Sequence, residues 1–163
     1  MAEFNNIWNS WDFDFDNNFV FDFPQKNKNG TLKKLTYKQI SMLLYGVALI
    51  TPMFFGTWTI GVFGLIMGWL GIFALEPFVA IPWFANFLYF GNLIFNKLNL
   101  KTKIGISVLT IIFALFVVGL RELPENEGGR NSDIVVGIGF LIWISSFIVL
   151  LIGQLKEKNK NVG

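Results

Sequence analysis

Residues 104 to 120, IGISVLTIIFALFVVGL, carry no charged side chain. A helix of that length rises about 26 Å, close to the roughly 30 Å hydrocarbon thickness of a bilayer. Four more apolar segments accompany it: Ile40 to Phe55, broken by Pro52; Thr59 to Leu75; Phe78 to Phe95, with Pro82, Asn86 and Asn92 embedded; and Ile134 to Leu155. A spanning helix needs roughly 17 to 25 such residues. Inside lipid every backbone polar group must be satisfied by the chain itself, so these segments are expected to be helical. The fold class that follows is all-α, an integral membrane helical bundle.

Charge placement agrees. Charged residues make up 15 per cent of the 163 residues, against roughly 25 per cent in soluble domains. Glu3, Asp12, Asp14, Asp16 and Asp22 precede the first apolar segment. Glu122, Glu125, Glu127 and Asp133 share one loop, Glu157 is near the end, and Glu76 alone lies between apolar segments. Confinement of charge to loops is the habit of a multi-pass membrane protein. With a net charge of +2, the lysines read as topology signals rather than a nucleic-acid surface. The organisation expected is a polar, aromatic tail over 1–37, a transmembrane domain over 38–155 and a basic tail over 156–163.

The lysines form three clusters: Lys26 to Lys38, Lys97 to Lys103, and Lys156 to Lys160. The positive-inside rule places all three on the cytoplasmic side. The loop 121–133 faces outward, and the last two segments form a hairpin. An even number of crossings must then separate Lys38 from Lys97, where three apolar segments lie. The expected solution is four crossings, with a discontinuous or re-entrant element around Glu76 to Asn86, where Pro77 and Pro82 interrupt a helix. Five crossings is the competing solution. The location expected is the inner (plasma) membrane, multi-pass, with both termini cytoplasmic.

Few residues point to chemistry. With no cysteine and no histidine, thiolate chemistry is excluded and the commonest general base and metal ligand are missing. No nucleophile–base motif or phosphate loop is present. No enzyme activity, cofactor or metal is expected. Glu76 either lines a polar cavity with Asn86 and Asn92 or sits hydrated in an interfacial turn. Trp83 and Tyr89 suit the membrane interface, and Asn86 can hydrogen-bond between helices. Gly61, Gly64, Gly68 and Gly71 allow close helix approach, either within the chain or in a homo-oligomer. Pro124 to Gly129, PENEGG, reads as a tight outer turn rather than a cation loop.

Several motifs together resemble a group of small, uncharacterised bacterial membrane proteins. These are GWLG at Gly68 to Gly71, Trp83 with Ala85-Asn86, NEGG at Asn126 to Gly129, and Gly137, Gly139, Trp143 and Ser145 in the last segment. The chain departs from that pattern in having Phe87 where the group carries proline. The resemblance implies a bacterial inner-membrane protein and implies no activity.

Residues 11 to 23, WDFDFDNNFVFDF, alternate aromatic with acidic side chains. Period two fits a strand with one apolar face and also an acidic–aromatic interaction segment. A lone strand has no stability of its own. Trp11, Phe13 and Phe15 are thus candidates for docking on a partner protein, with a free tail and membrane insertion as alternatives. The function expected is contact with another membrane or cytoplasmic protein, of an immunity or accessory type. The alternative is a small oligomeric channel or transporter using Glu76 and Asn86.

Overall fold

A computed structural model describes residues 35–56, 59–124 and 131–160. Trp11, Phe13 and Phe15, and the turn at Asn126 to Gly129, lie outside the described residues.

The described residues are mostly helical. Helix α1, Tyr37–Ile50, opens on a capping box: Thr36 Oγ1 accepts from the Gln39 amide and Gln39 Oε1 accepts from the Thr36 amide. Short strand β1 is Phe54–Phe55; short helices α2, Gly61–Met67, and α3, Leu70–Phe73, follow. Helix α4 is Pro77–Ile94. Helix α5, Leu100–Leu115, is capped by Asn99, whose side chain accepts from the Thr102 amide, and runs into a 3-10 turn at Phe116–Gly119. Strands β2, β3 and β4 are Glu122–Pro124, Asn131–Asp133 and Val135–Val136, and α6 is Ile138–Lys160. The basic residues expected to form a separate tail therefore extend the last helix.

The four long helices form an up-down-up-down bundle, in which α1 packs on α4 and α6, and α5 on α4 and α6. One end gathers the lysines. Lys38 Nζ donates to the Leu93 carbonyl at 3.0 Å, the Asn92 amide reaches the Lys103 carbonyl, and Lys156 Nζ lies 4.7 Å from the centre of the Tyr37 ring. At the other end the chain is extended and paired. β1 runs antiparallel to β4, with Phe54 opposite Val136, and β2 runs antiparallel to β3. Gly137 and Gly139 donate their amides to the Met53 and Pro52 carbonyls at 2.7 and 2.8 Å. A Cβ at either glycine would stand 2.6 or 2.7 Å from the Pro52 carbonyl oxygen, so only glycine allows this approach.

Two expectations need correction. The bundle is helical but carries these two small β pairings. The discontinuity also lies before Glu76. Helix α4 runs unbroken from Pro77 through Pro82 to Ile94, because Pro77 occupies the first helical position, where no amide partner is needed, and Pro82 removes only the bond to the Phe78 carbonyl. The broken element is α2–α3. It begins beside the end of α1, where Ile60 pairs with Pro52 and Gly61 meets the Ala48 carbonyl. It descends until Trp83 Nε1 donates to the Leu65 carbonyl at 2.8 Å. It then returns to Glu76 through Leu75, whose φ of 54° is left-handed. The Glu76 amide closes that turn on the Gly71 carbonyl at 2.9 Å.

The packing is polar inside and apolar outside. Ser41, Asn86, Asn92, Ser107, Thr110, Ser146 and Gln154 are buried, while Ile50, Phe73 and Leu75 are 74, 76 and 87 per cent exposed. Among the described residues three helices, Pro77–Ile94, Leu100–Gly119 and Ile138–Asn159, are long and apolar enough to cross a membrane. This is consistent with an outer surface that meets lipid, where interhelical hydrogen bonds and small residues hold helices together.

Candidate functional site

Helix α4 supplies the centre of the bundle. Its inward positions, Ala85, Asn86, Tyr89, Asn92 and Leu93, recur at the spacing of one helical face, and each polar member meets partners on other helices.

Nearest the lysine end is a closed ring. Asn92 Nδ2 donates to Ser107 Oγ at 2.7 Å and to the Lys103 carbonyl at 2.9 Å. Ser107 Oγ donates to Gln154 Oε1 at 2.9 Å, and Gln154 Nε2 returns to Asn92 Oδ1 at 3.2 Å. The next tier is Ser41, Tyr89 and Ser146. Ser41 Oγ donates to the Ser146 carbonyl at 2.7 Å, so the 2.8 Å bond between Ser41 and Tyr89 has the phenol as donor. The Tyr89 and Tyr45 rings stack at 5.0 Å.

The third tier is Tyr45, Asn86 and Trp143. Asn86 Oδ1 accepts from Tyr45 Oη at 2.8 Å and from Trp143 Nε1 at 3.1 Å. An indole can only donate, so the atom facing it must be the amide oxygen. Asn86 Nδ2 donates to the Trp83 carbonyl at 3.1 Å, which can only accept. The two assignments agree. The second N–H of that amide has no acceptor among the described residues.

Above Asn86 the bundle opens into a cavity of about 440 Å³ between α1, α2, α4, α6 and the end of α5. Asn86 and Trp143 line its floor region, Pro82 and Trp83 one wall, and Phe63 and Gly64 the α2 side. Among the described residues no Asp, Glu, Lys or Arg lines it. Among the described residues no three His, Cys, Asp or Glu side chains gather as a metal site.

The candidate residues divide. Trp83, Asn86, Gly61, Gly64 and Gly68 come together around the cavity. Glu76 does not join them: it is the exposed residue preceding α4. Asn92 belongs to the closed ring instead. Trp83 is half-buried against α2 and Tyr89 is buried. A Cβ at Gly61, Gly68 or Gly71 would strike Ala48, Trp83 or Val79 respectively, whereas at Gly64 it would meet nothing within 4 Å. Three of the four glycines thus serve packing within the chain. Sequence reasoning missed Ser41, Tyr45, Ser107, Ser146 and Gln154. The available signal was polarity inside an apolar run, at helical spacing from other small residues, as in Ser107, Thr110, Ala114 and Val117 of α5 and its continuation.

No protein-family model, curated protein or solved structure matches the chain.

Proposed function

We propose that the protein is a four-crossing membrane protein that works by non-covalent contact with another protein and carries out no reaction. The crossings are α1 with the extended residues after it, α4, α5 with its 3-10 turn, and α6, while α2–α3 is re-entrant. The lysines at the starts of α1 and α5 and at the end of α6 share one end of the bundle with the loop holding Lys97, so the positive-inside rule puts both termini in the cytoplasm. The non-helical backbone at the far end is tolerated because protein groups satisfy it, as at Met53, Gly61, Gly137 and Gly139. An inner (plasma) membrane of bacterial type fits the sequence resemblance.

The observation that carries contact over transport is the neutrality of the interior. The polar tiers bond to one another, and among the described residues no acid or lysine lines the cavity. An ion pathway needs polar or charged groups left available to the ion. The transport reading rested on Glu76 and Asn86 acting together, and Glu76 lies outside the cavity.

Two measurements test this. Reporter fusions after Lys103, Gly129 and Gly163 should read cytoplasm, outside, cytoplasm; the reverse readings at all three would mean five crossings. A photo-crosslinking residue at Phe15 in intact cells should yield one protein adduct of discrete mass. Adducts to lipid alone, together with cation or proton flux in proteoliposomes that Glu76→Gln abolishes, would replace contact with transport.

A further inference from the structure

The cavity beside Asn86 has a chemical character of its own, independent of whether the chain touches another protein. Its volume of about 440 Å³ falls in the range that holds a ring-containing small molecule. Among the described residues six aromatic side chains face it: Tyr45, Phe54, Phe63, Phe78, Trp83 and Trp143. The space has room for on the order of ten or more waters, each wanting two to four polar partners, and the lining is too apolar to supply them. The described lining holds no acid or base, which disfavours a charged guest left without a partner to offset its desolvation. Thr59 and Asn86 both bring polar side chains to the lining, and what Asn86 offers is specific. Asn86 Oδ1 is occupied by two donors, and its Nδ2 keeps one N–H to give. A group that can only donate asks for an acceptor on the ligand.

Depth sets a further condition. On the four-crossing reading proposed above, in which α4 spans the bilayer from its first turn, Asn86 lies nine residues past Pro77, about 14 Å along the axis, and half a hydrocarbon core is about 15 Å. The ester carbonyls of a bilayer lipid stay near the headgroups, so a molecule that brings an acceptor this deep must be neutral and lipid-soluble as a whole. We propose that the cavity binds a neutral, lipid-soluble ring compound bearing a carbonyl oxygen, which accepts from Asn86 Nδ2 while its ring lies among the aromatic side chains. The proposal concerns binding alone.

Gly64 provides the test. It lines the cavity from an exposed position, and a Cβ there meets nothing within 4 Å, so a phenylalanine ring fits there without displacing protein and is long enough to reach into the ligand's space. Gly105 is equally open to a Cβ but lies away from the cavity, which makes it the control. The full chain in phosphatidylcholine nanodiscs is titrated with 2-methyl-1,4-naphthoquinone, following tryptophan fluorescence. The expected result is a saturable quenching component that Gly64→Phe removes and Gly105→Phe keeps. 2-Methylnaphthalene, which lacks the carbonyls, should compete about tenfold more weakly, the value of one hydrogen bond. The competition needs no variant, so it decides the matter even if Gly64→Phe fails to fold. Quenching that stays linear in the wild-type protein, that survives in folded Gly64→Phe, or that the hydrocarbon displaces equally well overturns the proposal. Quenching by a lipid brominated on its acyl chain, undisturbed by the quinone, assigns the space to bilayer lipid and overturns it too.

Discussion

Two asparagines on α4, six residues apart, show how differently one side chain can be used. Asn92 sits where α4, α5 and α6 pack directly, and both its N–H groups and its oxygen are engaged, by Ser107, the Lys103 carbonyl and Gln154. Asn86 sits where α2–α3 enters from the far end. Its oxygen is doubly used, but one N–H remains and a cavity lies beside it. Both are buried, and both read alike in the sequence as amides in apolar runs. What separates a packing residue from a candidate binding residue here is saturation, which depends on whether neighbouring backbones come close enough to supply the missing partner.

The contrast can be attacked at its strongest point by breaking the end that shapes the cavity. Gly139→Val puts a Cβ 2.7 Å from the Pro52 carbonyl oxygen, a backbone atom that cannot step aside. The expected cost is about 3 kcal/mol, read as a large fall in the melting temperature of the detergent-solubilised protein. At the closed end, Asn92→Leu leaves Ser107 and Gln154 short of a partner. A loss of about 1 to 2 kcal/mol is expected, so a value near zero would mean the ring is not structural glue. Leu75→Gly should raise stability by about 1 kcal/mol, because a leucine at φ 54° carries left-handed strain that glycine avoids. The same melting assay reads it; a decrease would show that the exposed leucine side chain matters more than its backbone. Smallest of all, Glu76→Gln should shift stability by less than about 0.5 kcal/mol, since the side chain is exposed and makes no cap bond. A large effect would return Glu76 to the functional site.

The helices were readable from residues alone because a long apolar run in lipid has few solutions. Thr36 with Gln39, Asn99 before α5 and Pro77 before α4 even mark starts by local chemistry. Pro82 misled, because sequence gives the loss of a donor but not whether the helix tolerates it. The β pairings were hidden for a related reason. Strands of two or three residues have no pattern to detect, and they pair Phe54 with Val136 across 82 positions.

The sequence by itself determined that the chain is a bundle of apolar helices with its charges at the ends, since hydrocarbon runs and confined lysines permit little else. Only the tertiary structure decided which polar residues close on one another and which one keeps a hand free. Hydrogen-bond saturation is a property of distances between segments far apart in the chain, and Tyr45, Asn86 and Trp143 meet only because α1, α4 and α6 pack around one point.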